Sequence, residues 1–249
     1  MNHLAIIGGT GLTRLDSVQV TGKQFIQTKF GNTSAALVSG TLAGSKILFL
    51  PRHGDPHAIP PHKVNYRANI QALKDAGVNR IISINAVGGI TEQMGPCVIV
   101  LPDQIIDYTW GREHTYSSGD TDSVNHIDFT EPYSDSLRKL VVQAAASISQ
   151  PLISRATYGA TQGPRLETTA EIRRMEQDGC DIVGMTGMPE AALAKELGMD
   201  YASISLVVNW AAGKSNEEIT MEIIQKNLDI GMSKIKKLLE QIVSSTETA

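Results

Sequence analysis

Three polar clusters in the sequence carry donors suited to gripping an oxyanion. Gly8-Gly9-Thr10-Gly11 offers backbone N–H groups with little side-chain cover, plus the Thr10 hydroxyl. Arg52-His53 joins a permanent cation to a second nitrogen donor. Asn85-Ala86-Val87-Gly88-Gly89 adds amides in a segment that reads as a turn. Read singly, each has a plain alternative: a structural turn, a surface arginine beside a hydrogen-bonded histidine, and a connecting loop. Read together, they form a set able to surround one anion, and Asn209 adds a fourth polar group in the same setting.

That setting is the end of an apolar run. Residues 4–7, 47–50, 81–84 and 204–208 are short, mainly apolar stretches that stop at these polar groups, as buried strands do. Helix-period segments alternate with them at 64–76, 134–147, 168–177, 189–197 and 217–243, and Pro189 suits a first helical turn. This alternation predicts an α/β fold, a mixed β-sheet flanked by helices, in which ligands sit beyond the carboxyl ends of the strands. Residues 117–124 read as a polar loop and 244–249 as a frayed tail.

Other chemistries lack their residues. A dinucleotide fingerprint read from Gly9-x-Gly11 places Arg14 where a third glycine belongs, and no acidic residue follows about 20 positions beyond the first strand. No Walker loop and no GxSxG nucleophile element occurs. His53, His57, His62, His114 and His126 form no metal-ligand spacing, so no metal is expected.

Composition narrows the class further. The 249 residues, 41% hydrophobic and 19% charged, suffice for a single domain spanning 1–249. Twenty-two basic against 26 acidic residues give a net charge of −4 without a basic tract, which argues against a nucleic-acid partner. Cys97 and Cys180 form neither a disulfide framework nor a metal pair and fit a reducing compartment. Residues 1–9 lack a signal-peptide pattern and no apolar run is long enough for a membrane span, so a cytoplasmic protein is expected.

Over nearly its whole length the chain resembles the trimeric nucleoside phosphorylase family, especially its methylthionucleoside branch. The resemblance rests on GGTGL at 8–12, RHG at 52–54, HKVNYRANIQALK at 62–74, QGPRLET at 162–168, MTGMPEAALAKE at 185–196 and YASISLVVN at 201–209, in that order. It implies a nucleoside phosphorylase fold, a homotrimer with active sites near subunit boundaries, and phosphorolysis with no cofactor, inorganic phosphate being a co-substrate. Thr10, Arg52, His53, Asn85, Ala86 and Thr186 match the phosphate-binding positions. Met185 matches a residue against the ribose, and His126 one that a neighbouring subunit sends toward the 5′ end. Glu167 and Asn209 match the pair that 6-oxopurine members set against the base, with Arg52, His53 and Asn209 as the catalytic positions. A carboxylate accepts from purine N1–H while an amide donates to the O6/N7 edge.

Two departures stand out. Adenine-selective members carry Asp-x-Asp where this chain has Asn209-Trp210-Ala211, and Leu166 replaces an aromatic stacking residue. Met221 and Ile224 fall near the positions that meet a 5′-methylthio group, although ordinary helix core explains them equally well. The implied reaction is cleavage of S-methyl-5′-thioinosine by phosphate to hypoxanthine and 5-methylthioribose 1-phosphate. Inosine/guanosine phosphorolysis, methylthioadenosine phosphorolysis and non-catalytic nucleoside binding are the alternatives, with a dinucleotide oxidoreductase further behind.

Overall fold

The computed structural model describes residues 3–12, 17–117, 119, 125–216 and 218–245. Residue 217 at the start of the expected last helix, most of the 117–124 loop and the end of the expected tail therefore lie outside the described residues. The strands are β1 (His3–Gly8), β2 (Gln19–Gln24), β3 (Gln27–Thr28), β4 (Gly31–Asn32), β5 (Leu37–Leu42), β6 (Ser45–Pro51), β7 (Val78–Gly89), β8 (Ile99–Val100), β9 (Gln104–Asp107), β10 (Thr157–Ala160), β11 (Ile182–Gly184) and β12 (Asp200–Trp210). The helices are α1 (Tyr66–Asp75), α2 (Asp135–Ser147), α3 (Thr169–Gln177), α4 (Gly187–Glu196) and α5 (Met221–Ser245). Among the described residues, no helix is long and apolar enough to cross a membrane.

The main sheet is mixed and runs β2-β5-β6-β1-β7-β11-β10-β9, with β12 on β7 and β8 beyond it. β1 lies parallel between β6 and β7, and successive side chains enter opposite layers. Leu4 and Ile6 pack with Leu137 and Val141 of α2 and Leu228, Ile235 and Leu239 of α5. Ala5 and Ile7 pack with Ile70 and Leu73 of α1 and Ala191 and Leu193 of α4. Burial on both faces explains why β1 reads as an unbroken apolar run. β2 is the opposite case: all six residues are exposed at the sheet edge, and no apolar run announces it.

The long strand β7 organises the site. β12 pairs with one edge of it from Arg80 to Gly89. On the other edge β1 pairs as far as Ser83, and antiparallel β11 takes up Gly88 and Gly89. Residues 84–87 are left between them with that edge open to a ligand. The sequence expectation of a turn at 85–89 is thus corrected to strand, because β12 supplies a full set of partners there.

The helix starts matter for the same reason. α3 has a capping box, Thr168 accepting from the Glu171 amide while Glu171 accepts from the Thr168 amide. At α4, Thr186 makes no side-chain cap and Met188 is extended (φ −117°, ψ 142°), so regular helix starts at Pro189. α5 starts at Met221, four residues later than expected and one past Thr220, whose hydroxyl accepts from the Ile223 amide.

Candidate active site

A cavity of about 420 Å³ opens at the carboxyl ends of β1, β6, β7 and β12. Its anion wall is built by Thr10, Arg52, His53, Asn85, Ala86 and Thr186. Arg52 leaves β6 fully buried, with its backbone amide donating to the Gly8 carbonyl and so tying β6 to the end of β1. Its guanidinium grips Glu190 of α4 through Nε (2.7 Å) and Nη2 (2.8 Å), and donates to Ser83 Oγ (2.5 Å) and the Ile84 carbonyl (3.1 Å). Glu190 is also fully buried and accepts from Ser83 and Tyr201, both at 2.8 Å. Burial alone works against the guanidinium charge, but Glu190 outweighs it and Arg52 stays protonated. Four of the five guanidinium N–H groups are therefore engaged within the protein, and one on Nη1 remains.

Gly9 fits here because a Cβ would collide with the Ile84 carbonyl oxygen and lie 2.8 Å from Arg52 Nη1. The Ile84 carbonyl faces the edge of β7 that β1 vacates. By the two-residue alternation of a strand, the Ala86 amide projects along that same edge. Asn85 points elsewhere: Nδ2 donates to Ser203 Oγ (2.5 Å) and Oδ1 accepts from the Thr186 hydroxyl (2.8 Å). Asn85 thus holds Thr186 in place and retains one Nδ2 hydrogen.

His53 corrects an expectation. Its Nδ1 lies 2.8 Å from the Ile59 carbonyl, which can only accept, so Nδ1 carries the ring hydrogen. Burial, then the Arg52 charge, lowers the His53 pKa to about 4. The neutral ring presents Nε2 as an acceptor, not as the donor the sequence suggested. The loop is fixed by the Ala58 and Ile59 amides, both donating to the His53 carbonyl at 2.9 Å, and Gly54 takes the required φ of +87°. His57 from this loop lies against His53, ring centroids 4.5 Å apart.

The opposite wall carries Leu166, Glu167, Asn209 and Ala211. Because Thr168 and Glu171 satisfy the start of α3, Glu167 is not needed as a cap. One of its oxygens accepts from Thr161 Oγ1 (2.7 Å), leaving the other for the cavity. Asn209 follows a bulge in β12, where register shifts between Val207 and Asn209. Asn227 of α5 donates to the Val208 carbonyl at the bulge (2.8 Å). Asn209 Nδ2 donates to the Trp210 carbonyl (2.7 Å), which fixes the orientation of the amide and leaves one hydrogen and Oδ1 available. Leu166 is 46% exposed and Ala211 is buried.

Met185 lies between the two walls, with its side chain against Gly163, where a Cβ would strike the Met185 sulfur. Ile224 lines the cavity, and Met221 reaches its rim while 73% exposed. His126 is exposed and does not line this cavity. Sequence reasoning gave no role at this site to Glu190, His57, Ile59, Pro60, Pro61 or Ile219. Glu190 had a signal: it is the single acid between Gly187 and Ala194, in an otherwise apolar stretch, and buried acids require partners. Among the described residues, no group of three or more His, Cys, Asp or Glu side chains is placed to hold a metal.

The phosphorylase superfamily matches residues 3–244. A probable S-methyl-5′-thioinosine phosphorylase of Pseudomonas syringae pv. tomato is 51% identical over 246 residues, 99% of this chain and 100% of that protein. A 6-oxopurine nucleoside phosphorylase of Pyrococcus furiosus is 43% identical over 235 residues, 91% of this chain and 88% of that one. Among solved structures, methylthioadenosine phosphorylase from Schistosoma mansoni in complex with adenine matches with a TM-score of 0.94 at 31% identity, covering 100% of this chain and 93% of that one.

Proposed function

Because the chain belongs to the phosphorylase superfamily, we propose that it cleaves S-methyl-5′-thioinosine with inorganic phosphate, giving hypoxanthine and 5-methylthioribose 1-phosphate. The observation that carries this reading is that one cavity has an anion wall on one side and the Glu167–Asn209 pair on the other, with Met185 between them.

In this reading phosphate takes the remaining Arg52 Nη1 hydrogen, the Ala86 amide and the Thr10 hydroxyl. The Thr186 hydroxyl exchanges Asn85 Oδ1 for the stronger, charged acceptor. His53 Nε2 accepts the P–OH hydrogen that the phosphate dianion still carries at neutral pH. Phosphate then attacks C1′ as the glycosidic bond breaks. Positive character at C1′ lies next to the anion, and the electron pair flows into the purine. The free Asn209 hydrogen stabilises the N7 side of the leaving base, and the open Glu167 oxygen accepts from N1–H. Catalysis rests on placement and electrostatics, with no organic cofactor or metal.

In this reading the 5′ group meets Ile219, Met221 and Ile224, which line the cavity. We assign the exposure of Met221 to a homotrimer in a cytoplasmic setting, where a neighbouring subunit covers that rim and supplies His126. The experiment is base release from methylthioinosine, methylthioadenosine, inosine and adenosine, with and without phosphate. Phosphate-dependent release fastest with methylthioinosine is expected, and inosine should trail by up to about a hundredfold. Release without phosphate, or faster release from methylthioadenosine, overturns the assignment.

A further inference from the structure

Outside the residues assigned above, Arg112 makes an unusually complete set of contacts. It follows Gly111 (φ +63°) in the segment after β9 and is half-buried. Nη1 donates to the carbonyls of Met185 (2.8 Å) and Met188 (2.6 Å). Nη2 donates to the carbonyls of Thr161 (3.1 Å) and Gln162 (2.8 Å), and Nε to Gln162 Oε1 (3.1 Å). All five N–H groups thus meet neutral oxygens, and no ion pair of Arg112 occurs among the described residues.

Those oxygens belong to the two loops that shape the nucleoside half of the cavity. Thr161 and Gln162 lead into Glu167, and Met185 and Met188 flank Thr186. The guanidinium also lies 5.6 Å from the centre of the Tyr66 ring, and the Tyr66 hydroxyl donates to the Pro61 carbonyl (3.0 Å) on a third side of the cavity. Most of the anion wall is held differently, through Glu190, Ser83, Ile84 and Ser203, none of which is a hydrogen-bond partner of Arg112 among the described residues.

We propose that Arg112 is a positioning residue that clamps the 161–167 loop to the 185–188 segment, setting the separation between the base site and the sugar site. A planar fork with five fixed donors can bridge four carbonyls; an ammonium cannot. The clamp acts chiefly on nucleoside placement, because the phosphate ligands other than Thr186 lie on or directly after β1, β6 and β7, and Thr186, which sits in the clamped segment, is held separately by Asn85 of β7. Its kinetic consequence rests on the phosphorolysis proposed above, whereas the clamp itself does not.

The test uses full-length Arg112→Ala and Arg112→Lys with methylthioinosine and phosphate. Displacing a reacting group by about 1 Å costs on the order of a hundredfold, so kcat/KM for the nucleoside should fall by that order in Arg112→Ala. KM for phosphate should change far less, within about tenfold, because Thr186 alone among the phosphate ligands shares the clamped segment and Asn85 holds it independently. Arg112→Lys should fall between parent and Arg112→Ala. Millimolar guanidinium should restore activity to Arg112→Ala saturably, while urea or sodium chloride at the same concentration should not. A nucleoside kcat/KM close to the parent's, an equal loss in phosphate KM, or no response to guanidinium overturns the proposal.

Amide hydrogen exchange gives an arm free of the reaction. Faster exchange confined to residues 161–167 and 185–188, slowed again by guanidinium, supports the clamp, and unchanged exchange overturns it. Absence of phosphorolysis in the parent would bring down the proposed function and leave the clamp to be judged on exchange alone. If Arg112→Ala does not fold, Arg112→Lys carries both comparisons, and parent-like kinetics and exchange in it overturn the proposal.

Discussion

Replacing Asn209 by aspartate keeps the shape of the side chain but removes its amide hydrogens from the base site and adds an ionisable charge. The asparagine has two Nδ2 hydrogens: one goes to the Trp210 carbonyl at 2.7 Å and the other is left for the purine. An ionised aspartate has none and sets a carboxylate oxygen against that carbonyl, in a position only 9% exposed. A protonated one has a single hydrogen for two acceptors. The ionised form leaves the base without a donor, and the protonated form serves N7 only by giving up the Trp210 carbonyl. A hydrogen bond to a charged group is worth about 1.5–3 kcal/mol, so kcat/KM for methylthioinosine should drop about ten- to a hundredfold. Methylthioadenosine should lose less, because its exocyclic amine can donate to the new carboxylate, although Glu167 still opposes adenine N1. The buried acceptor–acceptor contact should also lower stability by about 1–3 kcal/mol. Burial and the carbonyl raise the folded-state pKa of the new acid above its unfolded value of about 3.9, so that deficit is small near pH 4 and grows as pH rises. The assay is the ratio of kcat/KM for methylthioinosine to that for methylthioadenosine in parent and variant, with urea unfolding at pH 4 and pH 8. A ratio unchanged by the substitution removes Asn209 from base discrimination. A stability deficit that is the same at both pH values refutes the carbonyl contact as its cause.

Other expectations follow from the buried groups. Arg52→Ala leaves Glu190 buried without its cation and should cost about 3–5 kcal/mol; Arg52→Met with Glu190→Leu should be less destabilised than Arg52→Ala alone, as read by chemical denaturation. A fully stable Arg52→Ala would contradict the buried pair. His53 has a folded-state pKa of about 4 against 6.5 for the ordinary imidazole. Its contribution to stability is therefore complete above pH 6.5 and is lost as pH falls toward 4. His53→Gln should flatten the acid limb of the stability profile between those values, and an unchanged limb would rule the ring out as its source. Gly231 of α5 packs on buried Leu206, whose methyl carbons a Cβ would overlap. Gly231→Ala gains about 1 kcal/mol in helix propensity but forces overpacking of about 1–3 kcal/mol, so a net loss with unchanged kcat is expected from thermal unfolding and steady-state assays.

The sequence by itself determined the strands with mainly apolar runs and the polar residues at their ends. β1, β12 and the end of β6 are largely buried on both faces, so Leu4 to Ile7 and Ile47 to Leu50 are apolar, Ile204 to Val208 is apolar but for buried Ser205, and each stops where the chain meets a ligand or solvent. Helix starts at Ser134 and Thr168 were legible because a cap is a local contact. The residue types of the anion wall were legible as well, since few side chains can meet an anion. What sequence could not decide was which atoms remain free once the chain is folded. β2 and the short strands β9 to β11 have no apolar run, and only pairing with neighbours defines them. Residues 85–89 look like a turn until β12 completes their hydrogen bonds. Glu190 is 138 positions from Arg52, the Ile59 carbonyl decides which nitrogen of His53 bears hydrogen, and Arg112 joins loops about 50 and 73 positions away. Donor and acceptor roles follow from saturation by distant partners, and only the tertiary structure sets that saturation.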